Sequence, residues 1–166
     1  THKFIGAVSF HSWRGCDDVT LRKWADAAKA INVPLLVGEG STDAAAHGYA
    51  EIFNESTFAL YEINLYTRIC AICQPLSILQ WQLTSDYSLL WGDGIYGSKG
   101  PLRPTQRFWN IKQLASTPAD ALAIPVSSSK KNVNCAAFGN MVRGEYAVHM
   151  VNNGADCEAV ISGIPA

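Results

Sequence analysis

Charged side chains are scarce, with Asp, Glu, Lys and Arg making up 16% of the 166 residues. Thirteen Lys and Arg nearly cancel fourteen Asp and Glu, leaving a net charge of −1, and no basic block or stripe runs along the chain. Binding to a polyphosphate draws on clustered cations, so nucleic acid is not the expected partner. Long apolar runs are missing as well. ALAIPV, residues 121 to 126, falls far short of the roughly 20 residues of a membrane span. The chain does not open with a charged stretch followed by an apolar one, since Thr1-His2-Lys3 runs straight into an apolar segment. Any targeting signal is therefore expected to lie upstream or to have been removed.

Cysteines are few and odd in number: Cys16, Cys70, Cys73, Cys135 and Cys157. At most two disulfides fit, and no second pair stands at zinc-ligand spacing. No His/Cys/Asp cluster has ligand spacing, so neither a metal nor an organic cofactor is implied. Cys70-x-x-Cys73 has the spacing of a redox pair, but it lies in an apolar helical run without Pro or Gly between the thiols. Two readings stand, a pair of buried thiols or a thiol-redox site, and the second requires at least one thiol to be exposed.

What the chain does hold is apolar: 48% of its residues are hydrophobic, enough for one ordinary domain or two small ones. FIGAVSF, residues 4 to 10, is a continuous apolar run, as expected of a strand covered on both faces in a parallel sheet. Asp17 and Asp18 then precede VTLRKWADAAKAI, where Leu21, Trp24, Ala28 and Ile31 recur at helical spacing behind good N-cap residues. VPLLVGEG supplies a second strand and residues 57 to 73 a second helix. SILQWQL, residues 77 to 83, supplies a third strand. After the glycine-rich loop WGDGIYGSKGPLRP, a third helix is expected over 105 to 114, with Phe108, Ile111 and Leu114 on its pattern. Trp24 and Trp109 are expected to pack from helices onto the sheet. From residue 117 the texture changes to short strands, LAIPVSS, NCAAFGN, EYAVHMVNN and EAVISGI, separated by turns, which reads as antiparallel β. Three β-α units cannot close a barrel of eight strands, which needs roughly 250 residues. Both ends are therefore expected to be cut from a larger protein.

The chemistry centres on LLVGEG, an apolar strand that delivers Glu39 at its carboxyl end between two glycines. In β/α barrels that end of the strand is where catalysis lives. The flanking glycines are expected to leave room for a ligand, since they are poor strand formers. A helix-capping or loop glutamate is the plain alternative. The strand before ends in His11 and Trp13, and the strand after carries Gln80, Trp81 and Gln82. Indole faces stack on pyranose C–H faces while amides and imidazole bond hydroxyls, so such a rim suits a sugar. Trp81 also reads as core packing and His11 as a satisfied structural histidine.

The run from FIGAVSFHSW through LLVGEGS and ILQWQLTSD to the β-rich tail resembles the carboxyl-terminal part of glycoside hydrolase family 30, the glucosylceramidase and endo-β-glycanase group. The resemblance covers nearly the whole chain. It implies an α/β fold: the last three β-α units of a (β/α)8 barrel over residues 1–116, then part of an antiparallel β-sandwich over 117–166. It implies that Glu39 matches the nucleophile of a retaining β-glycoside hydrolase. It also implies that His11 and Trp13 line the sugar site, and that Trp81 and Gln82 belong to a W-[NQ]-L motif walling the innermost subsite. EYAVHMVNNG is similar to a sandwich strand that usually ends in Asn. Where family members often carry a Tyr whose hydroxyl bonds the nucleophile, this sequence has Trp13, an N–H donor only. The general acid of the family follows an Asn on a fourth strand that is not present here, and Asn54-Glu55 has those letters beside a helix instead. The implied partners are a β-linked glycan or glycoconjugate and the rest of the barrel, and the implied setting is secreted, extracellular, periplasmic or lysosomal. The piece alone is expected to be inactive. A non-catalytic carbohydrate-binding protein that kept the cleft and lost the chemistry is the alternative.

Overall fold

A computed structural model describes residues 2–42, 50–85 and 87–164. Strand β1 (Val8–His11), helix α1 (Asp18–Ala30), strand β2 (Leu35–Gly40), helix α2 (Ser56–Cys73) and strand β3 (Ser77–Gln80) alternate as the sequence predicts. The strands form one parallel sheet in the order β1-β2-β3. Two short strands, β4 (Leu90–Trp91) and β5 (Arg103–Pro104), pair antiparallel around the glycine-rich loop and precede helix α3 (Gln106–Leu114). That small pair was not expected, because two-residue strands carry no readable period.

Helix α1 starts where its cap dictates. Asp17 accepts the Thr20 N–H at 3.0 Å and the Thr20 hydroxyl at 2.7 Å, satisfying a donor that the first turn of α1 leaves orphaned. Past its end, Asn32 takes a left-handed φ of 51° and donates to Lys29 O. Gln74 closes α2 the same way, with φ 48°, just before Pro75. Leu21 from α1, Leu65 and Ile69 from α2, and Leu35 and Val37 from β2 form one buried core on the helix side of the sheet. Fully burying each such aliphatic stabilises by roughly 1.5–3 kcal/mol. Trp24 stacks on Phe10 at 5.4 Å, as expected. Trp109 does not reach the sheet. It is 48% exposed and packs edge-on against Phe108.

No helix among the described residues covers the opposite face of the sheet. Ser9, His11, Leu79 and Trp81 are exposed there, so the apolar run from residue 4 is covered on one face among the described residues rather than two. Residues 2–4 are a short 3-10 turn and β1 begins only at Val8.

Strands β6 (Leu122–Ile124), β7 (Val133–Asn140) and β8 (Glu145–Asn152) make an antiparallel sheet in that order. Residues 158–164, expected as a further strand, are exposed and pair with no strand among the described residues, because an alternating pattern becomes a strand only where a partner offers its free edge. The sheet packs on α2, which also touches α1 and α3. An amide knot ties the layers. Asn64 of α2 and Asn153 exchange hydrogen bonds of 2.6 and 2.9 Å, and Asn134 donates to Asn64 Oδ1 at 2.6 Å. α2 is therefore covered over more than half of its circumference, while Leu60 and Tyr61 face outward on the remaining side.

Candidate active site

Alternation along β2 sends Leu35 and Val37 to the helix side, and strict period two would send Glu39 there as well. A bulge prevents it. β1 steps directly from Phe10, paired with Val37, to His11, paired with Glu39, so β2 spends an extra residue at Gly38. Against β3 the same surplus falls between Val37, paired with Ile78, and Gly40, paired with Gln80. A bulge re-aims the side chain that follows it. Glu39 turns onto the face away from the helices, where its Oε2 lies 3.2 Å from His11 Nδ1. At that distance the two side chains form an ion pair whenever the imidazole carries both ring protons. The two side chains are 55% and 30% exposed for His11 and Glu39 respectively, so the pair is open to a ligand.

Gly40 has a different cause from the one expected. A Cβ on Gly40 would stand 2.7 Å from Ile78 Cγ2 and 2.8 Å from the Tyr66 hydroxyl. A Cβ on Gly38 would meet Ser9 Oγ at 2.6 Å and come within 4 Å of the His11 ring. Gly40 lets the helix side of the sheet pack against the strand, whereas a Cβ on Gly38 would meet only the ends of exposed side chains on the open face.

Of the other rim residues, Trp81 follows β3 directly, donates its backbone N–H to Gly40 O at 2.7 Å and is 39% exposed. Gln82 joins Trp81 through a cis peptide, and its backbone is held by Tyr87 O and by the N–H of Leu89. Gln80 turns the other way, toward the helices, where Tyr66 donates to its Oε1 at 2.5 Å. Burial, with the Glu62 carboxylate adding to it, pushes the Tyr66 phenol well above its ordinary value, so it stays a donor. Trp13 leaves the His11 side. Its ring meets Tyr87 edge-on at 4.8 Å, and its buried Nε1 has no hydrogen-bond partner among the described residues, so it makes no bond to Glu39.

Glu55 stands at the N-cap position of α2, where its carboxylate accepts the Thr57 hydroxyl at 3.3 Å but caps no backbone N–H of the helix. Cys70 and Cys73 are each 6% exposed, and burial pushes their thiols up to about 12 and about 11. A redox pair needs a reachable thiolate, so that reading fails. Among the described residues no group of three or more His, Cys, Asp or Glu could hold a metal ion, and no helix is long and apolar enough to cross a membrane.

Two residues behind the rim escaped the sequence reading. Arg107, 0% exposed, forks onto Glu62, 1% exposed, with bonds of 3.0 and 2.8 Å. A signal existed. Glu62 is the lone acid in the largely apolar segment TFALYEINLYTRICAIC, and a buried acid needs a partner.

No protein-family model matches the sequence, and no curated protein matches it. Solved structures do match. A GH30 endoxylanase from Clostridium papyrosolvens superposes with a TM-score of 0.64 at 11% identity, over 89% of this chain and 34% of that one. The catalytic domain of GH30 xylanase C from Talaromyces cellulolyticus superposes with a TM-score of 0.52 at 13% identity, over 85% and 31%. The chain thus spans about a third of the length of the structures it matches. Its class is an α/β protein with a carboxylate presented at the carboxyl ends of parallel strands. More particularly, the fold is GH30-like, that of a glycoside hydrolase.

Proposed function

We propose that the chain is the carboxyl-terminal part of a (β/α)8 glycoside hydrolase, with barrel units over 1–116 and the start of a β-sandwich over 117–166, and that Glu39 is its nucleophile. The observation that carries the reading is the Glu39–His11 pair, 3.2 Å apart at the carboxyl ends of adjacent parallel strands. A Glu39 oxygen bonds to the anomeric carbon of a β-glycoside as the bond to the leaving oxygen breaks, and a second carboxyl group gives that oxygen its proton. Water then attacks the glycosyl ester, the second group takes the water's proton, and the Glu39 carboxylate departs. His11 holds the attacking carboxylate in one orientation, and Trp81 offers its indole face to the ring of the sugar. The acid/base comes from barrel strands outside this sequence, so the chain alone turns over no aryl β-glycoside.

In the enzyme that contains this chain, Glu39→Gln removes nearly all turnover and leaves sugar binding in place, because the amide keeps the shape but cannot form the ester. Glu39→Gly is rescued by azide, which takes the carboxylate's position and leaves as a glycosyl azide of inverted configuration. Near-normal turnover by Glu39→Gln would sink the assignment.

A further inference from the structure

Hydrogen bonds that start at one buried guanidinium reach the first residues after β1 and β2 and the segment after β3. Arg107 donates Nε to Glu62 Oε1 at 3.0 Å and Nη2 to Glu62 Oε2 at 2.8 Å. Its Nη1 bonds the carbonyls of Tyr87 at 3.0 Å and Ser88 at 2.8 Å, in the segment after β3. Tyr87 O also accepts the N–H of Gln82, the neighbour of Trp81. On the other side, Glu62 Oε2 accepts the Ser41 hydroxyl at 3.0 Å, two residues past Glu39. Ser41 N donates to Ser12 Oγ, and Ser12 Oγ donates to Ser41 O, at 3.0 and 2.6 Å. Ser12, the residue after His11, gives its own N–H to Glu39 O at 3.0 Å. Hydrogen bonds thus run unbroken from Arg107 to the backbone of Glu39. Ser12, Ser41, Ser88, Glu62 and Arg107 are each 1% exposed or less, and Phe53 and Phe58 lie 4.9 and 5.2 Å from the guanidinium carbon.

Such a pair is a poor stabiliser, because the cost of dehydrating two charges offsets their attraction, and apolar replacements of similar volume are often neutral. What apolar side chains cannot do is set direction, whereas a planar fork of donors dictates where each acceptor lies. We propose that Arg107 and Glu62 are positioning residues that hold the loops after β1, β2 and β3 in the register presenting His11, Glu39 and Trp81 together. The catalytic consequence rests on Glu39 being the nucleophile, and the positioning itself does not.

The test compares Arg107→Met/Glu62→Leu with Ser41→Ala, by amide hydrogen exchange in this chain and by kinetics in the enzyme that contains it. The double variant melts within a few degrees of the parent. Its Ser12, Ser41 and Trp81 amides exchange roughly tenfold faster or more, while β7 and β8 are unchanged and the His11 ring resonances move. Ser41→Ala cuts only the Glu62 branch, so the Ser12 and Ser41 amides lose protection and that of Trp81 keeps it. In the enzyme the double variant lowers kcat roughly tenfold or more with little change in KM. Unaltered rim exchange in both variants overturns the proposal, as does acceleration spread evenly over the chain. If the double variant does not fold, Ser41→Ala alone decides. Faster rim exchange beside a fully active Glu39→Gln upholds the positioning role and removes the nucleophile.

Discussion

Adding a methyl group at Gly40 separates two explanations of that glycine beside Glu39. In Gly40→Ala the new Cβ falls 2.7 Å from Ile78 Cγ2, 2.8 Å from the Tyr66 hydroxyl and 3.2 Å from Leu79 O. Ordinary contact begins at 3.4 Å, so the tightest neighbour must yield by about 0.7 Å. Neither side yields freely. Tyr66 is 1% exposed and its hydroxyl is bonded to Gln80, while Ile78 packs on the main core. Overpacking of this kind costs about 1–3 kcal/mol, and at about 2–4 °C per kcal/mol for a chain of this size the melting temperature drops by roughly 2–12 °C. Gly38→Ala is the internal control. Its closest contact, 2.6 Å, is with the Ser9 hydroxyl, the mobile end of an exposed side chain that can rotate away, so the loss stays below about 1 kcal/mol. Urea unfolding of both variants, with m-values compared to the parent, reads the difference. Equal stability of Gly40→Ala and the parent would refute the packing account and return Gly40 to the role of leaving ligand space.

Arg107→Met on its own strips Glu62 of its charge partner and leaves it only the Ser41 hydroxyl, at a cost of about 3–5 kcal/mol in urea unfolding; a loss under about 1 kcal/mol contradicts the buried ion pair. His149 behaves as a pH-dependent element. Thr117 Oγ1 gives its hydrogen to Leu114 O and so accepts from His149 Nε2 at 2.8 Å, while burial pushes the ring below its ordinary value. The folded state therefore prefers the neutral ring, and the stability this contributes is whole above about pH 6.5 and drains away as pH falls through the lower folded value. His149→Gln should shrink the fall in urea midpoint between about pH 7.5 and 5.5, and an identical fall in both proteins counts against it. With their thiols pushed up to about 12 and about 11, Cys70 and Cys73 stay unmodified by a disulfide reagent until the chain unfolds, whereas exposed Cys157 reacts at once. Mass spectrometry of the natively labelled protein distinguishes them, and early labelling at Cys70 would show that the helix opens.

The sequence by itself determined what is local. Apolar runs bounded by caps and turns marked the three β-α units in order, Asp17 announced the start of α1, and a lone carboxylate at a strand end singled out Glu39. Those features rest on backbone periodicity and on donors a few residues away, so neighbours in sequence suffice to encode them. Only the tertiary structure decided which way Glu39 faces, because a single bulge residue at Gly38 reverses the parity that alternation predicts. It alone brought Arg107 to Glu62 across 45 positions and Ser12 to Ser41 across 29. It alone turned Trp13 toward Tyr87 rather than Glu39, and left residues 158–164 without a partner strand among the described residues. Each of these depends on a surface supplied from a distant part of the chain, where the competition among burial, hydrogen bonding and space is settled only once the elements have packed.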